Sequence, residues 1–128
     1  MVEEGFYYTA GKVRNVPVTI GGTTWKPDFP IESEIKQEIE EVLNKKMDEV
    51  DIAIELLLYT MKKQVFIDGN KRTSVIFSNH YLISKGKGII TIPAELTEKF
   101  KELLIYYYEG KDEKEIKQFI KEKFYINL

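Results

Sequence analysis

Eight consecutive residues, Phe66-Ile67-Asp68-Gly69-Asn70-Lys71-Arg72-Thr73, gather the groups of this chain that could do chemistry. Gly69 lets the backbone turn sharply, and a helix starting directly after it presents N–H groups without helical acceptors and the positive end of its dipole. Lys71 and Arg72 add full positive charge, and Asp68 offers a hard oxygen ligand. A magnesium-bound polyphosphate calls for that set. The stretch is not a P-loop, which places a second glycine directly before its lysine. The same residues also suit a plainer role, with Asp68 and Asn70 capping a helix and Lys71 and Arg72 in water. Local chemistry leaves both open.

The elements around this break follow from apolar spacing. Ile31, Ile35, Ile39, Val42 and Leu43 recur at helical intervals with Glu and Lys between them, which predicts an amphipathic helix after Pro30. Val50, Ala53, Ile54, Leu57, Leu58 and Met61 make a wider stripe over about 48–63, more apolar than a surface helix needs, so that helix is central. The polar break opens a third helix, which Lys85-Gly86-Lys87-Gly88 ends. A short apolar run, Ile89 to Ile92, reaches Pro93, which suits the first turn of a fourth helix to about Glu109, closed by Gly110. Asp112 with Glu115 resembles a capping box for a last helix carrying Ile116, Phe119, Ile120 and Phe124. In Tyr106-Tyr107-Tyr108 the side chains point in different directions, and at least one belongs to the core. Ahead of the helices, Val16 to Ile20 followed by Gly21-Gly22 reads as strand and turn, predicting a hairpin over about 6–27 with Pro17 on an unpaired edge. The expectation is one domain over 1–128, mainly α, with a helical core over about 31–125 and a short N-terminal β-hairpin.

Composition narrows the function classes. The chain has 128 residues, 43% of them hydrophobic and 31% charged, and no cysteine. A disordered tail, a disulfide framework and a thiolate zinc site are all excluded. Up to Thr60 there are six basic against twelve acidic residues, and after it thirteen against nine. The basic excess lies in the half that carries the polar break. It is too small and too mixed to make a nucleic-acid stripe. No run approaches the roughly 18 apolar residues of a membrane span. Glu3 and Glu4 do not suit a signal peptide, so a cytoplasmic location is expected. The one histidine, His80, lies ten residues beyond Asn70, about 15 Å along a helix axis, and is expected to be structural or on the surface.

The segment Phe66 to Thr73 resembles the active-site motif of the Fic/Doc family, whose members read His-x-Phe-x-(Asp/Glu)-Gly-Asn-(Gly/Lys)-Arg. Gly11-Lys12-Val13-Arg14, Val16 to Gly22 and Lys26-Pro27 resemble that family's flap hairpin and the proline-containing entry to its first core helix. The resemblance implies a Fic-like helical bundle with a hairpin flap. It implies ATP and Mg2+ as ligands: Asp68 would hold the metal, the backbone of Gly69 and Asn70 would cradle the phosphates, Arg72 would contact them, and Phe66 would lie buried under the loop. The flap near Val16 to Thr24 would align the backbone of a protein target. The implied reaction is transfer of AMP from ATP to a Ser, Thr or Tyr hydroxyl of that target.

The match departs from the family in three places. The family's catalytic histidine falls at Gln64, and a glutamine takes no proton near neutral pH; general-base catalysis typically contributes about 10²- to 10⁴-fold. Lys71 replaces the glycine typical of AMP-transferring members and is closer to Doc, which resembles them but transfers a terminal phosphoryl group; its long side chain could fill space that outer phosphates would occupy. Val75 stands where a second arginine is common. No inhibitory helix motif precedes the flap, so regulation in cis by such a helix is not expected; the resemblance leaves room for an inhibitor in trans, as in toxin and antitoxin pairs. The readings that remain are a transferase weakened or altered at Gln64, a lapsed module that binds a nucleotide or a protein strand without chemistry, Doc-like phosphoryl transfer in a toxin and antitoxin context, and an interaction protein using Tyr106-Tyr107-Tyr108.

Overall fold

The computed structural model describes residues 13–66 and 69–128. Five α-helices make up most of them: α1 (Glu32–Leu43), α2 (Glu49–Lys63), α3 (Asn70–Ser84), α4 (Thr97–Tyr108) and α5 (Lys114–Lys123). Each sits where apolar spacing places it. Asp48 caps α2, its Oδ2 accepting from the Val50 N–H at 3.0 Å. Pro93 leads into a short 3-10 turn, Ala94–Leu96, before α4 begins. Asp112 Oδ1 accepts from the Lys114 N–H at 2.9 Å, satisfying a first-turn donor of α5. Gly110, at φ 77°, closes α4.

The centre of the molecule is α2. Ile52, Ala53, Ile54, Leu56, Leu57, Leu58 and Met61 are all buried, on every side of the helix. Such a helix needs neighbours all round. It lies chiefly against α3, and also against α1 and α5. Phe100, Leu103 and Leu104 of α4, with Ile116, Ile120 and Phe124, complete the core. Of the tyrosine run, Tyr108 is buried and Tyr106 is exposed. No helix among the described residues is long and apolar enough to cross a membrane.

Two features differ from the expectation. A two-stranded antiparallel sheet joins β1 (Ile89–Ile90) to β2 (Tyr125–Ile126), with Ile89 opposite Ile126. Asn79 of α3 pins it: its Oδ1 accepts from the Ile90 N–H at 2.6 Å and its Nδ2 donates to the Ile90 carbonyl at 2.8 Å. The expected N-terminal hairpin has its first arm within 1–12, outside the described residues. The described arm, 13–27, forms no strand. It turns at Gly21-Gly22 and lies on α4 instead. Thr23 Oγ1 donates to Glu109 Oε2 at 2.5 Å, and Trp25 stacks on Tyr108 with ring centroids 5.1 Å apart. Pro17 has no N–H for a ladder, and the two glycines allow the turn to approach the helix closely. A Cβ on Gly22 would come within 3.1 Å of Ile105 Cδ1.

Candidate functional site

The end of α2 and the start of α3 are joined by the segment from Gln64 to Gly69. Gln64 terminates α2 in the left-handed conformation, at φ 46° and ψ 56°, the one described non-glycine residue with positive φ. Its side chain pins that turn, Nε2 donating to the Met61 carbonyl at 2.7 Å. A cation holds the same segment from the other side. Arg14 is 4% exposed. Its N–H donates to the Val65 carbonyl at 2.8 Å, and its guanidinium donates to the carbonyls of Gln64, Val16 (2.9 Å) and Asp28 (2.8 Å). Burial lowers its pKa from the usual arginine value. The three carbonyls supply partial negative charge in place of water, and Arg14 thereby ties the N-terminal segment to the loop.

Asn70 is the loop's internal clasp. Its Oδ1 accepts from the Phe66 N–H at 2.9 Å, and its Nδ2 donates to the Phe66 carbonyl at 2.6 Å and to Gln64 Oε1 at 3.2 Å. Phe66 is buried beneath, as the resemblance implies. Gly69 occupies the cap position of α3 at φ 74° and ψ 15°, and its carbonyl accepts from the Thr73 N–H at 2.9 Å. A glycine has no side chain to offer the first-turn N–H groups. A Cβ there would come within 3.0 Å of Arg72 Nη2, so Arg72 folds back over the cap.

These residues open onto a cleft of about 520 Å³, within the range of small-molecule sites. Gln64, Gly69, Asn70, Lys71 and Arg72 line one side of it, Thr19 and Ile20 another, and Lys101, Leu104, Ile105 and Tyr108 of α4 the third. Five of the six site residues expected from sequence therefore meet in one place. The sixth, Asp68, lies outside the described residues. Lys71 and Arg72 are exposed. Three cations and no carboxylate line the cleft among the described residues. The floor is apolar apart from the Tyr108 phenol. Burial and the neighbouring Tyr107 push that phenol above its ordinary value, while a hydrogen bond with the Gln64 side chain acts in the opposite direction. It is neutral at pH 7.

An oxyanion would meet charge of the right sign here and N–H groups aimed outward from α3. Among the described residues no group of three or more His, Cys, Asp or Glu side chains comes together, and Asp68 lies outside them. His80 is exposed on α3, away from the cleft lining. Arg14, Tyr108 and Lys101 carried no local signal of these positions. Arg14 was legible only as part of the flap resemblance, and Lys101 is one of two lysines of α4 with nothing local to mark it.

The model of the Fic/DOC family matches residues 2–82, more than half of the chain, and the chain belongs to that family. No curated protein matches it.

Proposed function

We propose that this domain binds a nucleoside polyphosphate, ATP with Mg2+, in the cleft, and that it is a Fic-type transferase slowed at Gln64. The observation that carries the reading is the cationic cleft at the start of α3, where Lys71 and Arg72 stand at a helix N-terminus whose glycine cap has no side chain to offer the first-turn N–H groups. Lys71, Arg72 and those N–H groups would hold the phosphates. Asp68 would hold the metal, which neutralises phosphate charge when bound. The segment 16–24 would present the target chain beside the phosphates, its hydroxyl attacking the α-phosphorus as the bond to pyrophosphate breaks and its proton passing to a phosphate oxygen.

Gln64 sits where the attacking hydroxyl must lose its proton. Its amide takes up no proton, its Nε2 is engaged by the Met61 carbonyl, and its Oε1 accepts from Asn70. Gln64 can orient a hydroxyl but not deprotonate it, so transfer is slow by the factor that general-base catalysis usually supplies, about 10²- to 10⁴-fold. The test is incubation with Mg2+ and ATP labelled at the α- or the γ-phosphate, in lysate, for the wild type and Gln64→His together. The expected outcome is label from the α-position on a discrete protein, weak for the wild type and strong for Gln64→His. Label from the γ-position alone would assign phosphoryl transfer instead, as Lys71 would favour. ATP binding with no transfer by either chain would leave a nucleotide-binding module.

A further inference from the structure

The first turn of α3 offers the cleft two cations, Lys71 and Arg72. The next position on the Arg72 face, Val75, is apolar and packs against the core, so α3 brings no third. Lys101 does, from α4. Buried Phe100, Leu103 and Leu104 fix the face that α4 turns to the core, and Lys101 falls at the cleft with Leu104, Ile105 and Tyr108. The Gly21-Gly22 turn lies against its stem: a Cβ on Gly21 would be 3.8 Å from Lys101 Nζ, and one on Gly22 4.0 Å from Lys101 Cε. Both would be ordinary van der Waals contacts, so the turn runs alongside the lysine and leaves it at the cleft.

Most lysines of this surface have an occupation. Lys36, Lys45, Lys63, Lys87, Lys111, Lys117 and Lys121 pair with carboxylates, and Lys62 and Lys85 lie over aromatic rings. Lys101 makes no salt bridge among the described residues, and the cleft it lines holds no carboxylate among them. Three like charges converging on one cleft repel one another until an anion enters it. A monophosphate held at the start of α3 would engage Lys71 and Arg72, and a longer phosphate chain would have the Lys101 side of the same cleft open to it.

We infer that Lys101 is a third phosphate ligand, contacting the outer phosphates of a nucleoside polyphosphate and so selecting di- and triphosphates over monophosphates. The inference rests on the proposed nucleotide site and adds a ligand from outside the Phe66 to Thr73 segment. An ammonium paired with a phosphate makes a charge-assisted hydrogen bond, and its loss at a partly exposed site corresponds to about a tenfold change in affinity.

The test is calorimetric titration of ATP and of AMP, with excess Mg2+, into the wild type, Lys101→Met, Lys101→Arg, Lys99→Met and Arg72→Ala. Lys99 is an exposed lysine of the same helix that does not line the cleft. The expected result is that Lys101→Met weakens ATP about tenfold and AMP less than twofold, that Lys101→Arg keeps most of the ATP affinity, and that Lys99→Met changes neither. The inference is overturned if Lys101→Met leaves ATP affinity intact, weakens ATP and AMP equally, or matches Lys99→Met. Should Lys101→Met have no effect while Arg72→Ala weakens ATP, the inference alone falls. Should the wild type bind no ATP, or Arg72→Ala bind it unchanged, the nucleotide site falls and the inference with it.

Discussion

Replacing Asn70 tests whether the loop is held by its own side chain or merely by the helices at its ends. Asn70→Ala removes an acceptor 2.9 Å from the Phe66 N–H and a donor 2.6 Å from the Phe66 carbonyl, together with a longer contact to Gln64 Oε1. Both Phe66 groups are buried. A buried backbone group that loses its partner costs about 1–3 kcal/mol. Because the loop borders an open cleft, water can reach part of the gap, and the lower half of that range applies to each group. Alanine recovers up to about 0.7 kcal/mol of helix propensity. The net loss is about 1–3 kcal/mol, a sizeable part of the 5–15 kcal/mol that holds a typical domain. Asn70→Asp separates the two contacts. It keeps the acceptor for the Phe66 N–H but sets an oxygen against the Phe66 carbonyl, where the native donor stood at 2.6 Å, and against Gln64 Oε1. The helix N-terminus with Lys71 and Arg72 favours the ionised carboxylate and the facing Phe66 carbonyl disfavours it; the prediction is that the carbonyl prevails, so that the penalty is present at pH 7 and shrinks as pH falls and the group becomes a donor. Urea denaturation of the three chains at pH 7 and pH 4.5 measures this. The reasoning is refuted if Asn70→Ala lies within about 0.5 kcal/mol of the wild type, or if the Asn70→Asp deficit does not narrow with acid.

Three further outcomes follow from the same geometry. Gly69→Ala forces a side chain into φ 74° and to within 3.0 Å of Arg72 Nη2, so it costs about 1–2 kcal/mol in urea and displaces Arg72 from the cap, weakening ATP several-fold in the same titration; an unchanged affinity would separate Arg72 from the phosphate site. Arg14→Lys loses the fork that serves three carbonyls, and thermal melting should show it nearly as unstable as Arg14→Ala, each down about 2–4 kcal/mol. For Glu55, burial raises the carboxyl, but the hydrogen bond from Lys45 at 2.6 Å and the charge of Lys117 at 3.3 Å outweigh it, leaving it below the usual glutamate range. Its contribution is therefore fully present above the unfolded value, about pH 4.3, and lost as pH falls through the lower folded one. Glu55→Gln should be about 1 kcal/mol less stable than wild type at pH 7 and level with it near pH 2, as read from urea midpoints across pH.

The helices were legible because each carries a spacing that admits one reading. Val50 to Met61 is apolar on every side, and no exposed element could tolerate it. Glycines and caps gave the ends, as Asp48 and Gly110 illustrate. The strands were not legible. Ile89–Ile90 is two residues long, and its partner Tyr125–Ile126 follows a helix some 35 residues later; no local pattern announces a pairing made only after α3, α4 and α5 have packed. The arm 13–27 misled for a related reason. Val16 to Ile20 alternates well enough for a strand, but Thr23, Trp25 and the paired glycines find their contacts on α4, and tertiary contact overrides so short a preference. At the site, Gly69, Asn70, Lys71 and Arg72 were legible because they adjoin in sequence. Lys101 reaches them only through the fold.

Gln64 shows how a position can be bound into the fold apart from its chemistry. The backbone there ends α2 in a left-handed turn, its carbonyl receives the buried Arg14, and its amide side chain bridges Met61 to Asn70. The backbone bonds are indifferent to the side chain, so a histidine placed there would keep the turn and the Arg14 tie. The side-chain bonds are not: an imidazole cannot both donate to the Met61 carbonyl and accept from Asn70 Nδ2 with the reach of an amide. Gln64→His should therefore gain a proton acceptor and lose about 1 kcal/mol of loop stability together, since one net hydrogen bond is worth about that much. A gain in transfer without that loss would mean that the amide's two bonds do not tighten the loop, and that Asn70 alone closes it.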